Sequence, residues 1–153
     1  MTRITPEDAR KAFGISADHE HMVNGERRFR LVDKNGLGYV RTEAGEVGAW
    51  QNSHFHRTMH ETYIVQTGWI AVATIADINS APVLIMLEPE QTWTSPINVA
   101  HNVYMPAGAV THVVKHGPGD ASDWQVSDST KELDRITHAL SEYELLDLAE
   151  RSD

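Results

Sequence analysis

Between Arg27 and Lys115 the chain is cut into short runs by turn residues about every ten positions, the punctuation of antiparallel sheet. Residues 27–33 carry Phe29 and Leu31 in alternation, as a half-buried strand requires. Lys34-Asn35-Gly36 then predicts a hairpin, because asparagine and glycine both tolerate positive φ, with residues 37–42 as the return strand. A turn at 43–46 leads to extended runs at 48–56, 61–66, 69–75, 83–87, 99–105 and 110–115. Roughly eight strands so spaced predict an antiparallel sandwich or barrel.

The two ends read differently. Thr5-Pro6-Glu7-Asp8 supplies a hydroxyl cap, a first-position proline and first-turn acids, predicting a short helix that runs to about Phe13 and stops at Gly14. Residues 19–25 are polar and read as a loop. After the strands, Leu133, Ile136, Leu140 and Tyr143 recur at helical spacing, and Ser141-Glu142-Tyr143-Glu144 has the form of a capping box opening a last helix. The expectation is one all-β domain over 1–153, with a barrel core at 27–126 and a helical segment at 128–151 that caps the barrel or wraps a neighbouring subunit.

Charge and composition narrow the function classes. A net charge of -9 argues against a nucleic-acid partner, which needs clustered Lys and Arg. From Asp128 to Asp153 eight acidic residues face three basic ones, a pattern that belongs to a solvated helix surface. No apolar run approaches the ~20 residues that span a bilayer, so no membrane partner is expected. The N-terminus lacks a long apolar segment, which makes the expected location cytoplasmic. The absence of cysteine rules out disulfides and thiolate metal sites.

The densest chemistry lies in GAWQNSHFHRTMHETYIVQTG, residues 48–68, where His54, His56 and His60 fall within seven positions and Glu61 follows. On a strand, Trp50, Asn52, His54 and His56 share one face, so two imidazoles at i and i+2 can converge on one ion. Glu61, Tyr63 and Val65 share a face of the next strand, which antiparallel pairing brings alongside. His60 falls on the opposite face and is set aside as a surface residue. A fourth donor has to come from elsewhere, and His112, beyond the turn Pro106-Ala107-Gly108, is the expected one; its face is shared with Val114. His101, in TSPINVAHNVYMPAG, is the other residue able to complete the set, and is placed with Trp50, Asn52 and Tyr63 among the expected pocket residues at the barrel mouth. Nitrogens with one hard oxygen suit a divalent transition metal: Fe, Mn, Ni, Co or Zn. Arg57 and Lys115 are the candidate anion binders.

The spacing Gly48, His54-x-His56, Glu61, Gly68 resembles the first motif of the cupin superfamily at each spaced position, and Pro106-x-Gly108 followed by His112 resembles the second. The second motif departs from the family in two ways. Three residues rather than two separate Gly108 from His112, and Ala100 stands where the family has glycine. The resemblance spans about residues 48–116. It implies a jelly-roll barrel holding a divalent metal through His54, His56, Glu61 and His112, and it implies a homodimer. The function expected from it is a metal-dependent enzyme acting on a small oxygen-rich substrate (a sugar, hydroxy acid or enediol), as an isomerase or epimerase, or as a dioxygenase. Glu61 is the one residue with a possible catalytic role. The alternative is a non-catalytic small-molecule binding or sensing module.

Overall fold

The computed structural model of the chain describes residues 1–151. Helix α1 (Pro6–Phe13) begins where the Thr5 hydroxyl accepts from the Asp8 amide, and ends at Gly14, which takes the left-handed conformation at φ 66°. The strands follow as β1 (His19–His21), β2 (Arg27–Val32), β3 (Gly38–Glu43), β4 (Ala49–Trp50), β5 (Phe55–His56), β6 (His60–Thr67), β7 (Ile70–Ile75), β8 (Val83–Leu87), β9 (Thr92–Thr94), β10 (Ala100–Met105), β11 (Val110–His116) and β12 (Trp124–Gln125). Helices α2 (Asp128–Thr137) and α3 (Glu142–Glu150) close the chain. Each opens on a capping box, Ser127 with Thr130 and Ser141 with Glu144.

The strands form a six-stranded sheet, β1-β2-β3-β11-β6-β9, and a four-stranded sheet, β4-β10-β7-β8, with β12 and β5 as a separate pair. All the paired strands are antiparallel, in keeping with the expected jelly roll. The 34–36 hairpin forms, but only Gly36 is left-handed there (φ 82°). The Asp33 carboxylate tightens the turn by accepting from the Asn35 and Leu37 amides at 2.8 and 3.0 Å.

Two stretches differ from expectation. Part of the polar segment 19–25 is strand, because His19, Glu20 and His21 pair with Phe29, Arg28 and Arg27 at the sheet edge. The run 48–56 is not one strand: residues 51–53 leave the ladder between β4 and β5, and this break sets which side chains reach the site.

The core has two layers separated by the four-stranded sheet. Ile70 and Val72 of β7 and Val103 and Met105 of β10 meet Val65 and Val113 of the six-stranded sheet between the two sheets. The alternate residues Ala71, Ala73 and Tyr104 face outward and are covered by Leu133 of α2 and Leu145 of α3. Small side chains on β7 let the helices approach closely, and both faces of β7 and β10 are therefore dry. Leu133→Ala, at a fully buried position, is expected to cost about 2–5 kcal/mol in chemical denaturation. A loss below ~1 kcal/mol would mean that α2 is not packed on the barrel as described.

The two glycines that bracket the histidine motif have different physical reasons. Gly68 turns the chain from β6 to β7 at φ +75°, against Ala109. At Gly48 the backbone is unremarkable, but an added Cβ would strike the Tyr104 hydroxyl, which donates to Glu142 Oε2 at 2.7 Å and so ties β10 to α3.

Candidate metal centre

Four side chains from three places in the chain meet inside the barrel: His54 just before β5, His56 on β5, Glu61 on β6 and His101 on β10. One ligand atom from each lies within 4.8 Å of all the others. His54 Nε2 and His101 Nε2 stand 3.4 and 3.2 Å from Glu61 Oε2, and His56 Nε2 stands 3.5 Å from Oε1. Neighbouring ligands each at about 2.1 Å from one ion stand about 3 Å apart, so this spacing suits adjacent positions of a single coordination shell.

The other ring nitrogens show why the Nε2 atoms face inward. His54 Nδ1 donates to the Asn52 carbonyl at 3.2 Å, His56 Nδ1 to Asp123 Oδ2 at 2.8 Å, and His101 Nδ1 to the Val99 carbonyl at 3.4 Å. A neutral imidazole has one N–H, so each ring thereby presents an Nε2 lone pair to the centre. His56 Nε2 is buried and has no hydrogen-bond partner among the described residues. Three lone pairs and a carboxylate turned toward one another repel unless a cation lies between them. The donor set therefore fits a divalent metal ion.

Glu61 and His54 are in the charge states that a metal requires. Burial acts to raise the Glu61 carboxyl, but the Lys115 ammonium beside it opposes this, and the group lies well below the usual carboxylate range. Lys115 Nζ is 2.7 Å from Glu61 Oε1. Burial, the largest influence on His54, lowers its pKa and keeps the ring neutral. Tyr63 Oη donates to Glu61 Oε2 at 3.0 Å. Burial, with the Glu61 charge beside it, pushes the Tyr63 phenol well above its ordinary value, so Tyr63 is a fixed donor.

The centre opens onto a cavity of about 230 Å³ between the sheets. The inner face of the six-stranded sheet lines it with Arg28, Arg30, Lys115 and Tyr63, and Trp124 stands at its mouth, stacked on His54 with ring centroids 5.7 Å apart.

No protein-family model matches the chain, and no curated protein matches it in sequence. Solved structures do match in shape. The cupin domain of Drosophila melanogaster CENP-C superposes with a TM-score of 0.54 at 12% identity, over 65% of this chain and 75% of that one. The fold is that of a cupin. KdgF from Halomonas sp. matches with a TM-score of 0.51 at 16% identity, over 64% and 85% of the two chains. Oxalate decarboxylase of Lactobacillus farciminis matches with a TM-score of 0.55 at 11% identity, over 87% of this chain but only 39% of the larger enzyme.

Within this fold the expected first-motif residues converge, and the fourth does not. His112 points away from the barrel interior. Its register partners are Arg41 and Ile64, while the residues facing inward on β11 are Thr111, Val113 and Lys115. Both of its ring nitrogens are engaged, Nδ1 accepting from Tyr39 Oη at 2.6 Å and Nε2 donating to Gln66 Oε1 at 2.7 Å. His101 takes the fourth place, fully buried on β10 and bridged to the His54 backbone. His60 stays out of the set, donating through Nδ1 to the Ser95 carbonyl and stacking on His116.

The expected pocket residues divide. Tyr63 faces the site, as alternation predicts. Trp50 does not line the 230 Å³ cavity: the break at 51–53 shifts the alternation, so Trp50 packs edge-on against Tyr104 and donates to the Leu140 carbonyl, while Gln51 turns inward. Asn52 is exposed at the rim, in an outer cavity of about 450 Å³ that Trp50, His54 and Trp124 also line. Lys115 is in the site, whereas Arg57 is exposed outside it. Arg28, Arg30, Asp123 and Trp124 were not legible as site residues. The alternation of Phe29 and Leu31 was the available signal for the arginines, since it places Arg28 and Arg30 together on the other face of β2. Among the described residues, no helix is long and apolar enough to cross a membrane.

Proposed function

We propose that this cupin is a metal-dependent enzyme acting on a small oxygen-rich substrate, as an isomerase or epimerase, or as a dioxygenase. The observation that carries the reading is the set of three inward Nε2 atoms around Glu61, each ring held from behind, at the end of a cavity large enough for a small molecule. A divalent ion (Fe, Mn, Ni, Co or Zn) bound by His54, His56, Glu61 and His101 supplies Lewis-acid polarisation to substrate oxygens and coordination positions for them.

The chain's own residues do the remaining work. Tyr63 and Lys115 hold the Glu61 carboxylate from two sides, which fixes its orientation. Glu61 is chiefly a ligand, with a secondary role as proton shuttle. Trp124 covers the outer face of His54 and limits the access of water to the ring. A homodimer, which light scattering would detect, is part of the proposal.

The test is turnover with and without metal. Protein stripped by chelator should lose activity and regain it with about one equivalent of a divalent transition metal per chain. Stoichiometric oxygen uptake with diols, flavonols or keto acids would identify a dioxygenase, and aldose–ketose or epimer interconversion without oxygen uptake an isomerase. A rate unaffected by removal of the metal would overturn the reading. The second reading, a binding module, draws support from the shape of the CENP-C domain, a structure of which is described as bound to CAL1; tight binding of a metabolite with no turnover would favour it.

A further inference from the structure

We propose that the substrate is a small organic anion, a hydroxy- or oxo-carboxylate whose carboxylate is received by Arg30 and Arg28 while its other oxygens face the metal centre. This deepens the metalloenzyme reading and rests on it.

The six-stranded sheet carries the argument. Alternation along β2 turns Arg28 and Arg30 inward, and register places Arg28 beside Thr42 and Arg30 beside Val40 of β3. Through β11, the same face continues to Tyr63 and Glu61 of β6. Three strand spacings, about 14 Å, separate the backbones of β2 and β6. The two guanidinium groups therefore line the same cavity as the metal ligands but enter from its far side.

The charges in that cavity do not balance. Lys115 is matched by Glu61 at 2.7 Å. Arg28 is matched by the buried Glu26, which accepts from its Nε at 3.0 Å and its Nη2 at 2.7 Å, while Gln51 Nε2 donates to the same carboxylate at 3.0 Å. Among the described residues Arg30 pairs only with Glu20 on edge strand β1, and Glu20 is 57% exposed. Such a partner is water-screened and compensates little. Three inward cations thus face three buried carboxylates, Glu61, Glu26 and, behind His56, Asp123, and a divalent ion adds two positive charges that nothing buried among the described residues offsets. A neutral sugar would leave that excess in a partly dehydrated space, whereas a carboxylate offsets it and matches the planar guanidinium donors.

Size points the same way. About 230 Å³ is below the usual range for pockets that take drug-sized ligands. It suits an acid of a few carbons, with the Trp124 ring closing the outer side.

Calorimetric titration of the metal-loaded protein tests this, with glycolate and malate set against glycerol and erythritol. The acids should bind at least about 10-fold more tightly than the neutral alcohols, and added salt should weaken them. Arg30→Gln should weaken the acids by about 10- to 100-fold, the range for a charge-assisted hydrogen bond, with metal content unchanged and Arg30→Lys retaining part of the affinity. Because the glutamate that Arg30 pairs with is exposed, loss of the pair should leave the fold intact, which thermal unfolding would check. Equal binding of alcohols and acids by metal-loaded protein, or acid affinity unaltered in Arg30→Gln, would overturn the proposal and leave the metal reading standing. Acid binding that depends on Arg30 in a wild type that takes up no metal would do the reverse.

Discussion

His101→Ala is expected to lower divalent-metal affinity by more than about 100-fold, whereas His112→Ala should leave it unchanged. Loss of a partner behind a metal-bound histidine typically costs ~10–100-fold, and removing the ligand itself should cost more. His101 Nε2 lies 3.2 Å from Glu61 Oε2 in a fully buried setting, and among the described residues no other His, Asp or Glu joins the cluster to substitute for it. His112 has both nitrogens committed, to Tyr39 and Gln66, on the other side of the sheet. Competition titration of the two variants against a chromogenic chelator measures both affinities. An unchanged His101→Ala together with a weakened His112→Ala would reverse the assignment.

Asp123 should show the next largest effect, through two separable roles. Its Oδ1 accepts from the Thr58 amide and hydroxyl, each at 2.7 Å, and from the Met59 amide at 3.3 Å, while Oδ2 takes the Nδ1 proton of His56. One carboxylate thereby fixes the ligand-bearing turn and the tautomer of a ligand. Burial acts to raise its pKa, but the Thr58 hydrogen bonds and His56 bring it below the usual carboxylate value, so it is charged at neutral pH. Asp123→Ala strands several buried donors and should cost about 3 kcal/mol of stability together with 10–100-fold in metal affinity. Asp123→Asn keeps an acceptor for Thr58 but can turn an N–H toward His56 Nδ1, driving that ring to carry its proton on Nε2. It should retain most of the stability and still lose metal affinity. Denaturation and chelator competition on the two variants read the roles separately, and an asparagine variant with full affinity would show that the tautomer is not set this way.

What could be read in advance follows from where alternation holds. On β6 it is regular, so Glu61 and Tyr63 fall on the inward face as alternation predicts, and His60 on the other. On β11 both faces carry apolar and polar residues. The inward face includes Lys115, a residue that alternation alone would not put inside; the lysine is there because Glu61 is placed to pair with it. The unusual spacing after Gly108 was the visible sign that His112 points away. His101 was obscured for another reason: β10 is buried on both sides, since α2 and α3 cover its outer face, and a strand without a wet side shows no alternation. Trp50 lines only the outer cavity, not the inner one, because of the three-residue break before His54, which nothing in AWQNSHF announces. Asp123, 67 residues from His56 in sequence, and its neighbour Trp124 reach the site from a distant segment, and only the fold brings them to His56 and His54.

Anomalous diffraction at the metal edge, on crystals of protein loaded with manganese or zinc, tests the central claim most directly. One peak is expected, about 2.0–2.2 Å from the Nε2 atoms of His54, His56 and His101 and from a Glu61 oxygen. A peak beside His112, or no peak at the His54–His101 cluster under metal concentrations that saturate the protein in solution, would contradict it.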